Sequence, residues 1–258
     1  MQDRYTGDVG DFGKLGLLRA LCARNDLPLL RLGVVWYLVP DESHNEDGKH
    51  TKYLGSPLRY RECDPELYDG LRHLLLDDCG RLAPGRRCVR SLGDSGLLPT
   101  TAVLFGEQLV YPHASRYAAR MSIRGEWLAH AMTVTARAEV VFLDPDNGIE
   151  CKSISRTSRS GPKYVYWDEF SAFADRGQTV ILYHHLSRVC PSAEQMNQLR
   201  IQFKHRVPPG FTTLDVVFTR GTRRAYFNSA APRHRDVLNR RIESMLATPW
   251  ARHFARID

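Results

Sequence analysis

Residues 140–148 read Val-Val-Phe-Leu-Asp-Pro-Asp-Asn-Gly. The apolar start, rich in β-branched residues, predicts a short buried strand. It must stop at Asp144-Pro145, because proline has no amide to give a sheet ladder. Asp146, Asn147 and Gly148 are turn formers. Two carboxylates, Asp144 and Asp146, and the carboxamide of Asn147 therefore stand at the carboxyl end of a dry strand. In open α/β sheets that end is where ligands bind. Carboxylates there can take up protons or hold cations, and a carboxamide can accept from an amino group. Asp-Pro and Asn-Gly also mark ordinary loops, but an ordinary loop has no need of so many polar groups directly after an apolar strand. A side chain at a strand end is expected to lie outside the core, so loss of Asp144 should open no apolar cavity.

Two more strand ends carry similar groups. Leu32 to Val39 reads as a buried strand ended by Pro40 and followed by Asp41. The strand Thr179 to Tyr183 brings Tyr183, His184, His185 and Arg188 to its end. If these strands are neighbours in a parallel sheet, the groups meet in one crevice. A histidine there suits a general base or a metal ligand. Adjacent strand residues face opposite ways, so only one of the pair can enter a given pocket; we take His184 as the candidate. Near the start, Gly7-Asp8-Val9-Gly10-Asp11-Phe12-Gly13-Lys14 precedes a helix. Asp11 can be a plain N-cap; alternatively the first helical amides and Lys14 hold an anion. The segment is not the phosphate loop of nucleotide-binding proteins, since no strand precedes it.

The stretch from Cys151 to Lys163 carries Lys152, Arg156, Arg159 and Lys163 and no acid. It reads either as a solvated connector or as a clamp on a phosphate backbone. Arg233, Arg235, Arg240 and Arg241 fall on a helix and read as a solvated face. Glu150-Cys151-Lys152 after Pro145-Asp146 superficially matches the split signature of metal-dependent nucleases. The halves of that signature lie on separate strands, and too few residues separate them here.

The elements that must position these groups alternate. Helices are predicted over Phe12–Arg24, with Leu15, Leu17, Leu18 and Leu21 apolar, and over Pro65–Asp77, capped by Asp64. Further helices are predicted over Arg116–Thr135, Trp167–Ala174, Ser192–His205 and Arg233–Met245. Short strands or a hairpin fit Thr101–Leu104 and Gln108–Val110; Leu214–Thr219 and Arg224–Asn228 fit an antiparallel pair turned at Arg220-Gly221. Residues 80–100 read as a connector. Strands alternating with helices predict an α/β fold, a mainly parallel, doubly wound, Rossmann-like sheet closed by an antiparallel hairpin. We expect a single domain over residues 1–258, with about 40–100 as an inserted or irregular subregion.

The chain has 258 residues, 43% of them hydrophobic, with 36 Lys plus Arg against 29 acids and a net charge of +7. The excess favours an anionic partner, possible partners including nucleic acid, nucleotides and phosphate. Six cysteines form no Cys-x-x-Cys pair, so zinc ribbons and disulfide frameworks are not expected, and the thiols read as reduced and structural. No apolar run is long enough to span a bilayer and no secretory signal is visible, so the expected location is cytoplasmic, away from membranes.

The pattern resembles the class I methyltransferase fold, with large-subunit rRNA adenine methyltransferases as the nearest family and three-Cys-motif partner proteins as cousins. Gly7-x-x-x-Asp11-x-x-Lys14 resembles that family's N-terminal signature. Asp144-Pro145-Asp146-Asn147 stands where the family has Asp-Pro-Pro-Tyr, and the closing hairpin and arginine-rich helix are similar. The resemblance implies S-adenosylmethionine as cofactor, with Asp11, Lys14 and Asp41 on the cofactor side. It implies that Asp144 bonds the target amino group or takes its proton, and that Asn147 accepts from the amine without stacking. The chain departs from the family in the extra carboxylate Asp146 and in the turn after the first strand, where Tyr37 to Ser43 contains no glycine.

Two functions follow. The first is S-adenosylmethionine-dependent methyl transfer to nucleic acid or another anionic substrate. There Asp144, Asp146, Asn147 and His184 would be catalytic, with Lys152, Arg156, Arg159, Lys163 and Arg188 on the substrate. The alternative is a metal-dependent nuclease or phosphohydrolase, in which Asp144, Asp146 and His184 hold a divalent metal ion and Arg188 meets the phosphate. A binding protein that keeps the fold without the chemistry is a third.

Overall fold

A computed structural model describes residues 1–23, 29–42, 48–187 and 190–257. Helix α1 (Val9–Cys22) starts ahead of the expected Phe12. Its cap is Asp8, whose Oδ1 accepts from the Gly10 amide at 2.8 Å, and Asp11 falls in the first turn. The chain then enters β1 (Leu32–Val35), which is wholly buried. Three short helices follow, α2 (Pro57–Tyr60), α3 (Pro65–Leu75) and α4 (Val89–Asp94). Asp64 caps α3 by accepting from the Leu67 amide, as its sequence predicts. The stretch expected to be a plain connector holds α4, capped by the Cys88 sulfur.

Strand β2 (Val103–Phe105) pairs parallel with β1, and Leu38 and Gln108 extend the contact as a parallel bridge, so of the two expected alternatives there a short strand forms and a hairpin does not. Helix α5 (Tyr117–Val134) carries the chain across to β3 (Val140–Leu143), on the other side of β1. Two-residue strands β4 (Gly148–Ile149) and β5 (Tyr164–Val165) pair with each other, and α6 (Trp167–Asp175) leads to β6 (Thr179–His185), parallel to β3. After α7 (Ser192–Lys204) come β7 (Thr212–Thr213), β8 (Val216–Phe218), β9 (Arg224–Ala230), α8 (Arg235–Leu246) and β10 (Phe254–Arg256). The sheet order is β10-β8-β9-β6-β3-β1-β2, with β7 also on β9. Strands β2, β1, β3 and β6 are parallel, and β9, β8 and β10 make the antiparallel edge. This is the expected α/β sheet with its closing hairpin; strand β10 was not anticipated.

Strand alternation explains the two layers. Val34, Phe142 and Ile181 point to one face, under Phe12, Leu18, Leu67 and Ile242. Val35, Leu143 and Leu182 point to the other, under Trp127, Phe170 and Phe203. Burying each such side chain contributes about 1.5–3 kcal/mol. One arginine expected on a solvated face is instead in the core: Arg241 on α8 is fully buried and donates to the Leu21 carbonyl at the end of α1. Among the described residues no helix is long and apolar enough to cross a membrane.

The register fixes the site. Val35 pairs with Leu143, and Leu143 with Leu182. Their successors Trp36, Asp144 and Tyr183 therefore emerge side by side. The chain leaves β1 toward β2 and returns to β3, so the order reverses between β1 and β3, where a crevice opens at the carboxyl ends.

Candidate functional site

The crevice is built around one lysine. Lys14 Nζ lies 2.7 Å from Asp144 Oδ2 and 2.9 Å from Asp11 Oδ1. All three residues are buried, at 4%, 1% and 3% exposure for Lys14, Asp144 and Asp11. The ammonium also faces the Trp36 and Tyr183 rings, at 5.3 and 5.8 Å from their centroids. Asp11 is held from behind by the Gly7 amide, which donates to Oδ2 at 2.8 Å. Gly7 has φ 81°, and a Cβ there would stand 2.3 Å from the Leu75 side chain, so only glycine serves. Burial pulls Lys14 toward its neutral form, but the two carboxylates more than offset this and hold it above an ordinary lysine. Burial raises Asp144 above the ordinary carboxylate range, against the pull of Lys14 and the terminal ammonium. Asp144 thus does not lie outside the buried interior, as its place at a strand end led us to expect: it is one third of a buried ion cluster.

These groups line a cavity of about 180 Å³ that also takes in Asp8, Asp146, Asn147, His185 and Arg224. Arg224, from β9, donates to Asp8 Oδ1 at 2.7 Å. Asp146 Oδ2 accepts from Gln2 Nε2 at 2.7 Å and faces Lys163 Nζ at 3.6 Å. Its Oδ1 is buried without a hydrogen-bond partner, 3.9 Å from the amino group of Met1. That amino group donates to the Tyr37 carbonyl at 2.9 Å, and the Val39 amide donates to the Met1 carbonyl at 2.9 Å. The backbone just beyond β1 is therefore already paired. Asn147 is pinned through its main chain, its amide on the Lys163 carbonyl and its carbonyl on the His185 amide, both at 3.0 Å.

The remaining candidates separate. His184 does not line the cavity; its Nδ1 accepts from the Ile149 amide at 3.2 Å, and His185 takes the place at the rim. Burial lowers His184 to about 4, so the ring is neutral at physiological pH. Gly148 lets it pack there: φ is 127° and a Cβ would meet Nδ1 at 2.1 Å. Asp41 accepts from the Arg4 amide at 3.1 Å and lines a neighbouring cavity with Arg159 and Lys163. Lys163 lies 2.5 Å from Glu42. Arg156 donates to Asp168 at 2.7 Å and covers the Tyr166 ring, while Lys152 is exposed. Glu150 caps α6 by accepting from the Trp167 amide at 2.9 Å. Arg188 lies outside the described residues. Among the described residues, no group of three His, Cys, Asp or Glu side chains could hold a metal ion.

Sequence reading missed Asp8 and Arg224 as cavity residues and Arg124 as an anchor, while Tyr183, expected at the strand end, does line the cavity. Arg124 is buried against Glu169 and donates to the Gly161 and Tyr164 carbonyls at 3.1 and 2.7 Å, which fixes the end of the basic loop next to Lys163. Glu169 also accepts from the Tyr37 hydroxyl at 3.2 Å. Asp8 was visible in the Gly/Asp segment. Arg224 and Arg124 carry no local signal, because their partners are far away in sequence. Comparison with family models, curated proteins and solved structures finds no match for this chain.

Proposed function

We propose that the chain is an S-adenosylmethionine-dependent, methyltransferase-like enzyme acting on an amino group of an anionic substrate, nucleic acid in the first instance. One observation carries the reading. The two segments on which the resemblance rests, Gly7–Lys14 and Asp144–Asn147, meet in one buried crevice through the 2.7 Å contact of Lys14 with Asp144. The crevice lies where a doubly wound sheet binds ligands.

The residues fit such a cofactor on one side. Asp146 Oδ1, which accepts no hydrogen bond and lies 3.9 Å from the Met1 amino group, suits a cationic or hydroxyl group. After β1 the Tyr37 carbonyl and the Val39 amide are already paired with Met1, so a cofactor would draw on other groups of the crevice. Asp146 and the Gly10–Lys14 wall would therefore hold the group, which when bound supplies an electrophilic methyl. Lys14 fixes the Asp144 carboxylate in one orientation, and its raised proton affinity suits it to accept from an amine. Asn147 offers a carboxamide at the same wall. The metal-dependent hydrolase is less well supported, because His184 Nδ1 accepts from the Ile149 amide and His184 does not line the crevice with Asp144 and Asp146. Calorimetric titration with S-adenosylmethionine tests the proposal: saturable binding, lost in Asp146→Asn, is expected. Absence of binding at millimolar cofactor to folded protein would overturn it.

A further inference from the structure

Beside the first cavity lies a wider one of about 670 Å³, in the range of small-molecule sites. Its walls come from the segments beyond β1 and β2 and from the end of the basic loop. Lys163 joins the two cavities: it lines the wide one and lies 3.6 Å from Asp146 in the first. The charges in the wide cavity are unequal in availability. Its acids are engaged, Glu42 with Lys163 at 2.5 Å and Asp41 with the Arg4 amide at 3.1 Å. Arg120 is positioned by bonds to Ser115 Oγ and the Thr157 carbonyl, at 3.0 and 2.7 Å, and lies 5.7 Å from the Tyr111 ring centre. Arg159 is exposed and, among the described residues, makes no hydrogen bond or ion pair.

We infer that the wide cavity is a phosphate-binding subsite. The substrate is then a phosphorylated, nucleotide-type compound whose amino-bearing end enters at Asp144 and whose phosphate reaches Arg120 and Arg159, with Lys163 held by Glu42 between the two cavities. The assignment rests on the Asp144 crevice being the substrate site. Two guanidinium groups suit a phosphate better than a single carboxylate, because a guanidinium can give two parallel bonds to phosphate oxygens. The crevice at Asp144, of about 180 Å³, is the smaller of the two, and the wide cavity beside it has room for the phosphate-bearing part of the ligand.

Titration calorimetry of the full chain with the four nucleosides, their 5′-monophosphates, inorganic phosphate and a four-residue single-stranded oligonucleotide tests this. At least one monophosphate or the oligonucleotide should bind tenfold or more tighter than the matching nucleoside. That preference should fall at least fivefold in Arg159→Glu, an exposed position whose change leaves the fold intact. Tighter binding of the oligonucleotide than of the monophosphate would assign the phosphate to a nucleic-acid backbone, and the reverse to a free nucleotide. Equal binding of nucleoside and monophosphate, no binding of any probe, or a preference untouched by Arg159→Glu would overturn the subsite. The methyl donor is tested separately: a phosphate preference without S-adenosylmethionine binding would end the methyltransferase reading and leave the subsite standing.

Discussion

Lys14 and Asp144 lie 130 positions apart in sequence and 2.7 Å apart in space, with Asp11 as the third member of their buried cluster. The cluster ties α1 to the carboxyl end of β3, and its charge balance is uneven, two carboxylates to one ammonium. Removing the lysine leaves two buried carboxylates facing one another; removing Asp144 leaves a neutral pair. Lys14→Met should therefore cost about 3–5 kcal/mol of stability. Asp144→Asn should cost only about 1–3 kcal/mol while ending the proposed activity. Urea midpoints at matched slopes measure both. Equal stability of the two variants would show that the cluster does not act as a charge unit.

The opposite end of the sheet contains a pH-dependent element. Asp215 is buried, with Oδ1 accepting from the Asn228 amide at 2.9 Å and Arg200 3.4 Å away. Burial raises its carboxyl to about 7, above the 3.8 of a free side chain. A folded state that binds the proton more tightly than the unfolded one loses stability as pH rises between those two values, and the loss is complete above the folded value. Asp215→Asn keeps the acceptor and removes the titration. Its stability relative to the parent chain should rise from pH 4 to pH 7 and level off beyond. A difference that stays flat with pH would contradict this account.

Gly148 and His184 should be coupled. Gly148→Ala puts a methyl 2.1 Å from the ring nitrogen and forces φ 127° on a side chain that rarely adopts it. Each effect is destabilising. Adding His184→Ala relieves the clash but not the backbone strain. The double variant should therefore be less destabilised than the sum of the singles, by roughly 1 kcal/mol or more. Additivity in a thermal or urea cycle would mean that the ring moves aside without cost.

The legibility of the chain follows the range of its interactions. β3 and its Asp-Pro stop, the cap at Asp64 and the β8–β9 hairpin are set by neighbours in sequence, and all can be read locally. Asp8 as the cap of α1 was missed because two aspartates and three glycines compete within a few residues, and only packing against Leu75 and Arg224 decides among them. The meeting of Lys14 with Asp144 could not be read from the strand pattern, because it depends on how α1 packs at the carboxyl end of β3. Arg224, Arg124 and Arg241 could not be read. A buried arginine looks like a surface one until its distant acceptor is known, such as the Leu21 carbonyl for Arg241. Asp41 went to the neighbouring cavity because β1 stops at Val35 and the following residues bend toward β2 through the bridge of Leu38 to Gln108.

The four cations of the basic loop should not contribute equally to binding a polyanion. Arg156 is committed to Asp168 and to the Tyr166 ring, and Lys163 to Glu42 and Asp146. Freeing either for a phosphate would break an existing pair, so little net charge is gained. Lys152 and Arg159 are exposed and can meet a phosphate directly. For a single-stranded nucleic acid each such contact contributes a slope of about 0.7 in log affinity against log salt, and for a duplex about 0.9. The Lys152→Ala, Arg159→Ala double variant should thus flatten the salt dependence by roughly 1.4 to 1.8. Arg156→Ala alone should leave the slope unchanged and instead lower thermal stability slightly through its loss of Asp168. Fluorescence-anisotropy titrations of a labelled oligonucleotide at several salt concentrations separate the cases. If Arg156→Ala flattens the slope and the exposed pair does not, the loop must rearrange on binding, and the ion pair with Asp168 would be a resting contact that the nucleic acid replaces.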